Sequence, residues 1–200
     1  MSGSQARVAC IVLAAGRSAR MGAANKLVAD IDGKPMVRRV VEAALASQAA
    51  PVLVVTGHMA AEIGAALTGM AVTLVANPDY ATGLSSSLKA GIKALPAACD
   101  GALIMLGDMP QIEPGHLDRL VAAFARDAIV VPVHEGKQGN PVVWPSAYFP
   151  ELLQLDGDAG AKRLIATHED RVREIDLSSE AILTDVDTPE ALARVREGRN

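Results

Sequence analysis

Apolar runs of strand length alternate with amphipathic helical stretches from Val8 to Val133, and few architectures accept that order. The runs are Val8–Ala15, Pro51–Val55, Val72–Ala76, Gly101–Leu106 and Ile129–Val133. Pro35 suits a first helical turn, and the helix it opens has an apolar face of Met36, Val37, Val40, Val41, Ala44 and Leu45. Further helices are expected over Met59–Leu67, from about Ser87 to Leu95, and over Gly115–Arg126, the last with Leu117, Leu120, Val121 and Phe124 inward. Ile31–Lys34 reads as a turn or short hairpin around Asp32-Gly33. This alternation predicts an α/β fold with a mostly parallel sheet covered on both faces. Right-handed crossovers then bring the loops after Leu13, Val55, Ala76 and Leu106 to one rim, where ligands of such sheets bind. Half of the residues are hydrophobic but only 2% are aromatic, so the core must be built from Val, Ile, Leu and Ala.

After Val133 the pattern changes. His134–Gln138 reads as a hairpin tip, and Gly139-Asn140-Pro141 leads into a strand at Val142–Trp144. Pro145 and Pro150 bracket a short helix, Asp156–Lys162 is a polar turn that opens another, and Val172–Ile175 is a strand. Thr188 is the expected cap of a last helix opened by Pro189 and Glu190. There is no internal repeat or linker, so residues 1–200 are expected to form one domain.

The net charge of −4 and the scarcity of aromatic side chains argue against a nucleic-acid partner. Cys10 and Cys99 belong to no C-x-x-C pair, which argues against a disulfide framework or a zinc site. No apolar run reaches the roughly 18–20 residues of a membrane span, and the N-terminal run lacks a cleavage pattern. A cytoplasmic protein without membrane contact is expected.

The first run ends in the stretch Ile11–Lys26, IVLAAGRSARMGAANK. Gly16 closes the strand, and Arg17, Arg20 and Lys26 follow with no Asp or Glu before Asp30. A small-residue turn lets backbone N–H groups approach an anion, and the cations can neutralise phosphate oxygens. The stretch is neither a P-loop nor a dinucleotide fingerprint: Ala23 follows Gly22, and Ser18 stands where a second glycine is needed. Asp108, in Gly107-Asp108-Met109-Pro110, sits where a buried strand meets a turn. A carboxylate there needs a partner, and Mg²⁺ together with phosphates would provide one. Ser85, Ser86 and Ser87 after Gly83 can cap a helix and also face an anion or a base.

The signature L-A-A-G-x-S-x-R-M-G, one residue longer than usual before Lys26, resembles the nucleotide-binding loop of the MobA-like nucleotidyltransferases. Ala14-Ala15-Gly16 is similar to the molybdenum cofactor cytidylyltransferase branch, where the guanylyltransferase branch usually reads Ala-Gly-Gly. Gly-Asp-x-Pro at Asp108 resembles the metal motif of this family, with Met109 where Gln is common. The resemblance implies a Rossmann-like three-layer sandwich of the nucleotide-diphospho-sugar transferase type, with a nucleotide-binding half over about 1–133 and an acceptor-side half over about 134–200. It implies Mg²⁺-dependent transfer of CMP from CTP to molybdopterin with release of pyrophosphate, and a molybdoenzyme as a downstream partner. No Ser, Cys or His base is needed, because an ionised acceptor phosphate is already the nucleophile; none of the four His forms a triad, and His58 is given no role. Lys26 and Arg20 would hold the leaving pyrophosphate, with Arg17 nearby. Leu13, Ala14, Ala15, Gly16, Thr56, Gly57, Gly83, Ser85, Ser86 and Ser87 would contact the nucleotide. Asp108 and the Asp before Thr-Pro, Asp187, would hold the metal; Asp187 is favoured over Asp185 because alternate residues of an extended segment face opposite ways. Gly139, Asn140, Asp158 and Gly160 would contact the acceptor. The rival readings are a guanylyl or sugar-phosphate nucleotidyltransferase, a non-catalytic cofactor carrier, and an NADPH-dependent reductase of the same superfamily.

Overall fold

The computed structural model describes residues 6–17, 25–157 and 161–198. Its first strand, β1 (Val8–Ala14), is buried along its whole length. A small antiparallel hairpin of β2 (Asp30–Ile31) and β3 (Lys34–Pro35) leads into α1 (Met36–Leu45). Then come β4 (Val52–Thr56), α2 (Ala60–Ala66), β5 (Thr73–Ala76), α3 (Leu84–Lys93), β6 (Gly101–Leu106), α4 (Pro114–Ala122) and β7 (Ile129–His134). The second half adds β8 (Lys137–Gln138), β9 (Val142–Pro145), α5 (Phe149–Leu152), α6 (Lys162–Thr167), β10 (Val172–Asp176) and α7 (Pro189–Arg196).

The central sheet runs β10-β7-β9-β6-β1-β4-β5, with β8 paired to the end of β7. Neighbours are parallel from β6 to β5 and between β7 and β10. The exception is β9, which lies antiparallel between β6 and β7. The second half of the chain therefore does not stand apart from the first: it contributes a strand to the middle of the same sheet.

Burial on both faces explains why β1 reads as an unbroken apolar run. Val8, Cys10, Val12 and Ala14 pack on the side of α1, α2, α4 and α7, with Val37, Val40, Ile63, Leu120 and Leu192. Ile11, Leu13 and Ala15 pack on the opposite side with Leu88 and Ile92 of α3, Leu152 of α5 and Ile165 of α6. Gly91 lets α3 lie close, since a Cβ there would come within 2.6 Å of Ile11 Cγ2 and 3.2 Å of Val55 Cγ2. Thr188 caps α7 as expected, accepting a hydrogen bond from the Ala191 amide at 3.2 Å.

Two helix boundaries differ from the sequence reading. α3 starts at Leu84 rather than near Ser87, so its three serines lie within the first turn and Gly83 occupies the cap. Gly83 takes φ 117°, a conformation open to glycine, and the side chain of Asn77 bonds the turn from outside. α4 ends at Ala122, short of Arg126, and Phe124 turns back to fill the space over Gly101.

Candidate active site

Because β6, β1, β4 and β5 run parallel and side by side, their C-terminal ends open onto one rim. Two cavities meet there. One, of ≈ 740 Å³, is polar and lies over the β1 loop, lined by Ala15, Gly16, Arg17, Lys26, Tyr80, Gly83, Ser87, Asp108, Asp185 and Asp187 among others. The second, of ≈ 840 Å³, is apolar, with Leu88, Ile104, Trp144, Ile165 and Ile182 in its walls and Lys137, Asn140 and Lys162 also lining it. Leu13, Leu84, Leu106 and Asp185 belong to both.

At this junction lies a cluster of carboxylates. β6 ends tightly against β1: the Gly107 amide donates to Leu13 O at 2.9 Å, and a Cβ at Gly107 would stand 3.0 Å from that oxygen. Asp108 is thereby fixed at the strand end. Its own carbonyl accepts the amide of Val186 at 2.9 Å, and Val186 is fully buried. That anchor pulls Asp185 and Asp187 in from the C-terminal segment. One oxygen of each of Asp108, Asp185 and Asp187 lies within 4.8 Å of the others.

The expectation that only one of Asp185 and Asp187 reaches the site is thus corrected. Alternation of side chains holds for extended strands, and residues 184–187 form none. The carboxyl of Asp185 is held above the ordinary range, first by burial and then by the negative charges of Asp187 and Asp108.

Lys26 is bonded into the cluster. Its Nζ donates to Asp108 Oδ2 at 2.6 Å and also to Asp187 Oδ1. Burial alone would lower the pKa of this ammonium, but the charges and hydrogen bonds of Asp108 and Asp187 outweigh it and the pKa is raised. Asp108 Oδ1 is buried and takes no hydrogen bond from the described residues. An unpartnered carboxylate oxygen beside two further carboxylates is a donor set that suits a hard divalent cation.

The remaining candidates divide. Leu13, Ala15, Gly16, Arg17, Gly83 and Ser87 line the polar cavity. Ala14 points to the other face of the sheet and packs in the core. Thr56 is buried, and Gly57 lies beneath Tyr80. Ser85 and Ser86 turn to a separate hollow beside Asn77 and Lys89. Gly139 and Asn140 line the apolar cavity: the Asn140 amide donates to Ile182 O at 2.9 Å, and a Cβ at Gly139 would stand 2.3 Å from that oxygen. Arg20, Asp158 and Gly160 lie outside the described residues. Sequence reasoning missed Tyr80 and Trp144, although their scarcity as aromatics was a usable signal.

A doubly covered, mostly parallel sheet with a small-residue loop and an acidic cluster at its carboxyl rim defines an α/β protein built to hold an anionic ligand together with a cation. The chain belongs to the MobA-like NTP transferase domain family, which matches residues 10–172. It is 36% identical to purine catabolism protein PucB of Bacillus subtilis, over 93% of this chain and 94% of that protein. It is 25% identical to the molybdenum cofactor cytidylyltransferase of Escherichia coli, over 94% and 95% of the two chains. The structure of Rv0371c of Mycobacterium tuberculosis in complex with manganese superposes with a TM-score of 0.79 at 26% identity, covering 96% of this chain and 98% of that one.

Proposed function

We propose that this protein is a Mg²⁺-dependent cytidylyltransferase that moves CMP from CTP to the phosphate of molybdopterin and releases pyrophosphate. The observation that carries the reading is the acidic cluster with Lys26 at the junction of a polar and an apolar cavity. A donor nucleotide in the first, and in the second an acceptor with its flat ring system between the apolar walls and its polar groups toward Lys137, Asn140 and Lys162, would meet at Asp108 and Asp185. The nearly full-length relation to a molybdenum cofactor cytidylyltransferase supports the choice of CTP and of acceptor. So does the Ala14-Ala15-Gly16 loop.

A phosphate monoester has its second pKa near 6 and is ionised at neutral pH, so no side-chain base is needed. An oxygen of the acceptor phosphate forms a bond to the α-phosphorus as the bond from that phosphorus to the pyrophosphate oxygen breaks. Asp108, Asp185 and Asp187 would hold Mg²⁺, which supplies positive charge to the reacting phosphates when bound. Arg17, Arg20 and Lys26 take up charge on the departing pyrophosphate. Gly16 and Gly83 admit the nucleotide close to backbone, and Ser87 faces it. Gly139, Asn140 and, on the resemblance, Asp158 and Gly160 position the acceptor, so the second half serves the acceptor side except where Asp185 and Asp187 reach back to the metal. Catalysis is then positioning together with charge neutralisation.

The test is to incubate the protein with each nucleoside triphosphate, Mg²⁺ and molybdenum cofactor, and to measure pyrophosphate. Release with CTP that depends on both metal and acceptor is expected. Release with GTP alone would end the cytidylyl reading, and no release with any nucleotide would leave the carrier or reductase readings.

A further inference from the structure

We infer that Tyr80 is the platform on which the nucleobase of the donor nucleotide stacks; this deepens the proposed function and rests on its assignment of the polar cavity to the nucleotide. The chain has only two Tyr, two Phe and one Trp. Phe124 covers Gly101, Phe149 packs against the core, and Trp144 and Tyr148 meet edge to face. Tyr80 alone among these five lines the polar cavity.

Its place along the rim suits a base. β6, β1 and β4 are successive neighbours in the sheet. Asp108 follows β6, and the side chain of Tyr80 lies over Gly57, which follows β4. Two strand spacings separate those ends, roughly 10 Å. A nucleotide with its α-phosphate near the carboxylates and its sugar over Gly16 would therefore bring its base across Ala15 to Tyr80.

The ring is held for this position. A Cβ on Gly57 would come within 2.5 Å of Tyr80 Cβ and 2.9 Å of Ala15 Cβ, so the tyrosine seats only because residue 57 is glycine. Three residues before Tyr80, Asn77 is buried and ties three segments together. Its amide donates to Thr56 O at 2.8 Å, its Oδ1 accepts the Asp79 amide at 3.0 Å, and its Nδ2 donates to Ser86 Oγ and Ser87 Oγ at 2.9 and 3.0 Å. The turn that carries Tyr80 is thus braced against β4 and α3. The body of the ring packs against the core while the residue still borders the cavity.

The guanidinium of Arg17 lies 5.9 Å from the ring centroid, and the His58 ring lies 6.0 Å away. A cation over an aromatic face marks a face that is accessible and electron-rich. When the triphosphate binds, its charge draws Arg17 off the ring, and the base takes the face it leaves. Stacking on an aromatic is indifferent to base identity, so Tyr80 supplies affinity and leaves discrimination to Ala15 and its neighbours.

The experiment titrates CTP and inorganic tripolyphosphate separately, with Mg²⁺, into wild type, Tyr80→Leu and Tyr80→Phe. Leucine keeps apolar volume over Gly57, and tripolyphosphate reports an intact phosphate site. Tyr80→Leu should weaken CTP by about five- to a hundredfold and leave tripolyphosphate unchanged, while Tyr80→Phe stays within about twofold of wild type for both. CTP binding by Tyr80→Leu at the wild-type level would overturn the inference. So would an equal loss of CTP and tripolyphosphate, which would make the ring a brace for the loop. In a parallel GTP titration, a wild type that takes GTP more tightly than CTP, with Tyr80→Leu weakening both nucleotides and not tripolyphosphate, would leave the platform standing and end the cytidylyl assignment.

Discussion

Lys26 occupies the place where a cation is expected to bind, and replacing it should make the protein both less stable and more responsive to metal. The pair with Asp108 at 2.6 Å is worth roughly 6 kcal/mol of gross Coulomb attraction at an effective dielectric near 20. Burying the ammonium offsets much of that. Breaking a buried pair by removing one partner costs about 3–5 kcal/mol, because a charge is left uncompensated. Here the side chain of Asp108 is 16% exposed and that of Asp187 34%, so solvent screens part of the effect. For Lys26→Met in EDTA we expect a loss of about 2–4 kcal/mol, with three carboxylates facing one another. Magnesium should return much of it: saturation at a hundred times the dissociation constant contributes about 2.7 kcal/mol to a protein that binds only when folded. In the wild type the metal must first displace the ammonium, so its gain should be smaller. Urea unfolding of both proteins in EDTA and in excess MgCl₂ measures the four values needed. Equal stabilisation of both by Mg²⁺ would refute the competition, and a variant as stable as wild type in EDTA would refute the electrostatic account of the cluster.

Three further perturbations probe the same geometry. Asp108→Ala should reduce pyrophosphate release by at least about a hundredfold while far-UV circular dichroism is unchanged, because the lost group stabilises charge at the reacting centre; retained Mg²⁺-dependent turnover would remove Asp108 from the site. Ala15→Gly should lower the CTP-to-GTP ratio of kcat/KM by about tenfold without reversing it, the low end of what one methyl group discriminates; of the three serines after Gly83, only Ser87 borders the polar cavity, so Ser87→Ala is the companion change. Gly91→Ala should destabilise by about 1–3 kcal/mol in urea unfolding, because its Cβ would meet Ile11 at 2.6 Å, although glycine to alanine within an open helix gains stability. A gain at this site would mean that α3 does not lie as close to β1 as described.

What could be read from the residues and what could not divide along a physical line. β1 announced itself because it is buried on both faces, and such a strand has no polar position to blur the pattern. The rim follows from handedness and parallel order, which bring Gly16 and Asp108 together across 92 positions of sequence. The reversed strand β9 could not, since Val142–Pro145 looks the same whichever way it runs and its partner strands β6 and β7 lie to either side of it. The choice of Asp187 over Asp185 fails for a related reason: the rule of alternate faces does not hold in a segment that is irregular, with Val186 buried and bonded to Asp108 O. The start of α3 reads about one turn late, because a glycine with positive φ caps the helix and serine is the commoner cap signal. In each case the local rule was sound and a long-range contact decided otherwise. Of the contacts that did so, Val186 on Asp108 and Asn77 on Ser86 and Ser87 lie at the rim, and β9 beside β6 sends Val142 and Trp144 into the wall of the apolar cavity. The residues hardest to read are therefore those that build the walls of the two cavities, and the core beneath them is the part that hydrophobic pattern alone determines.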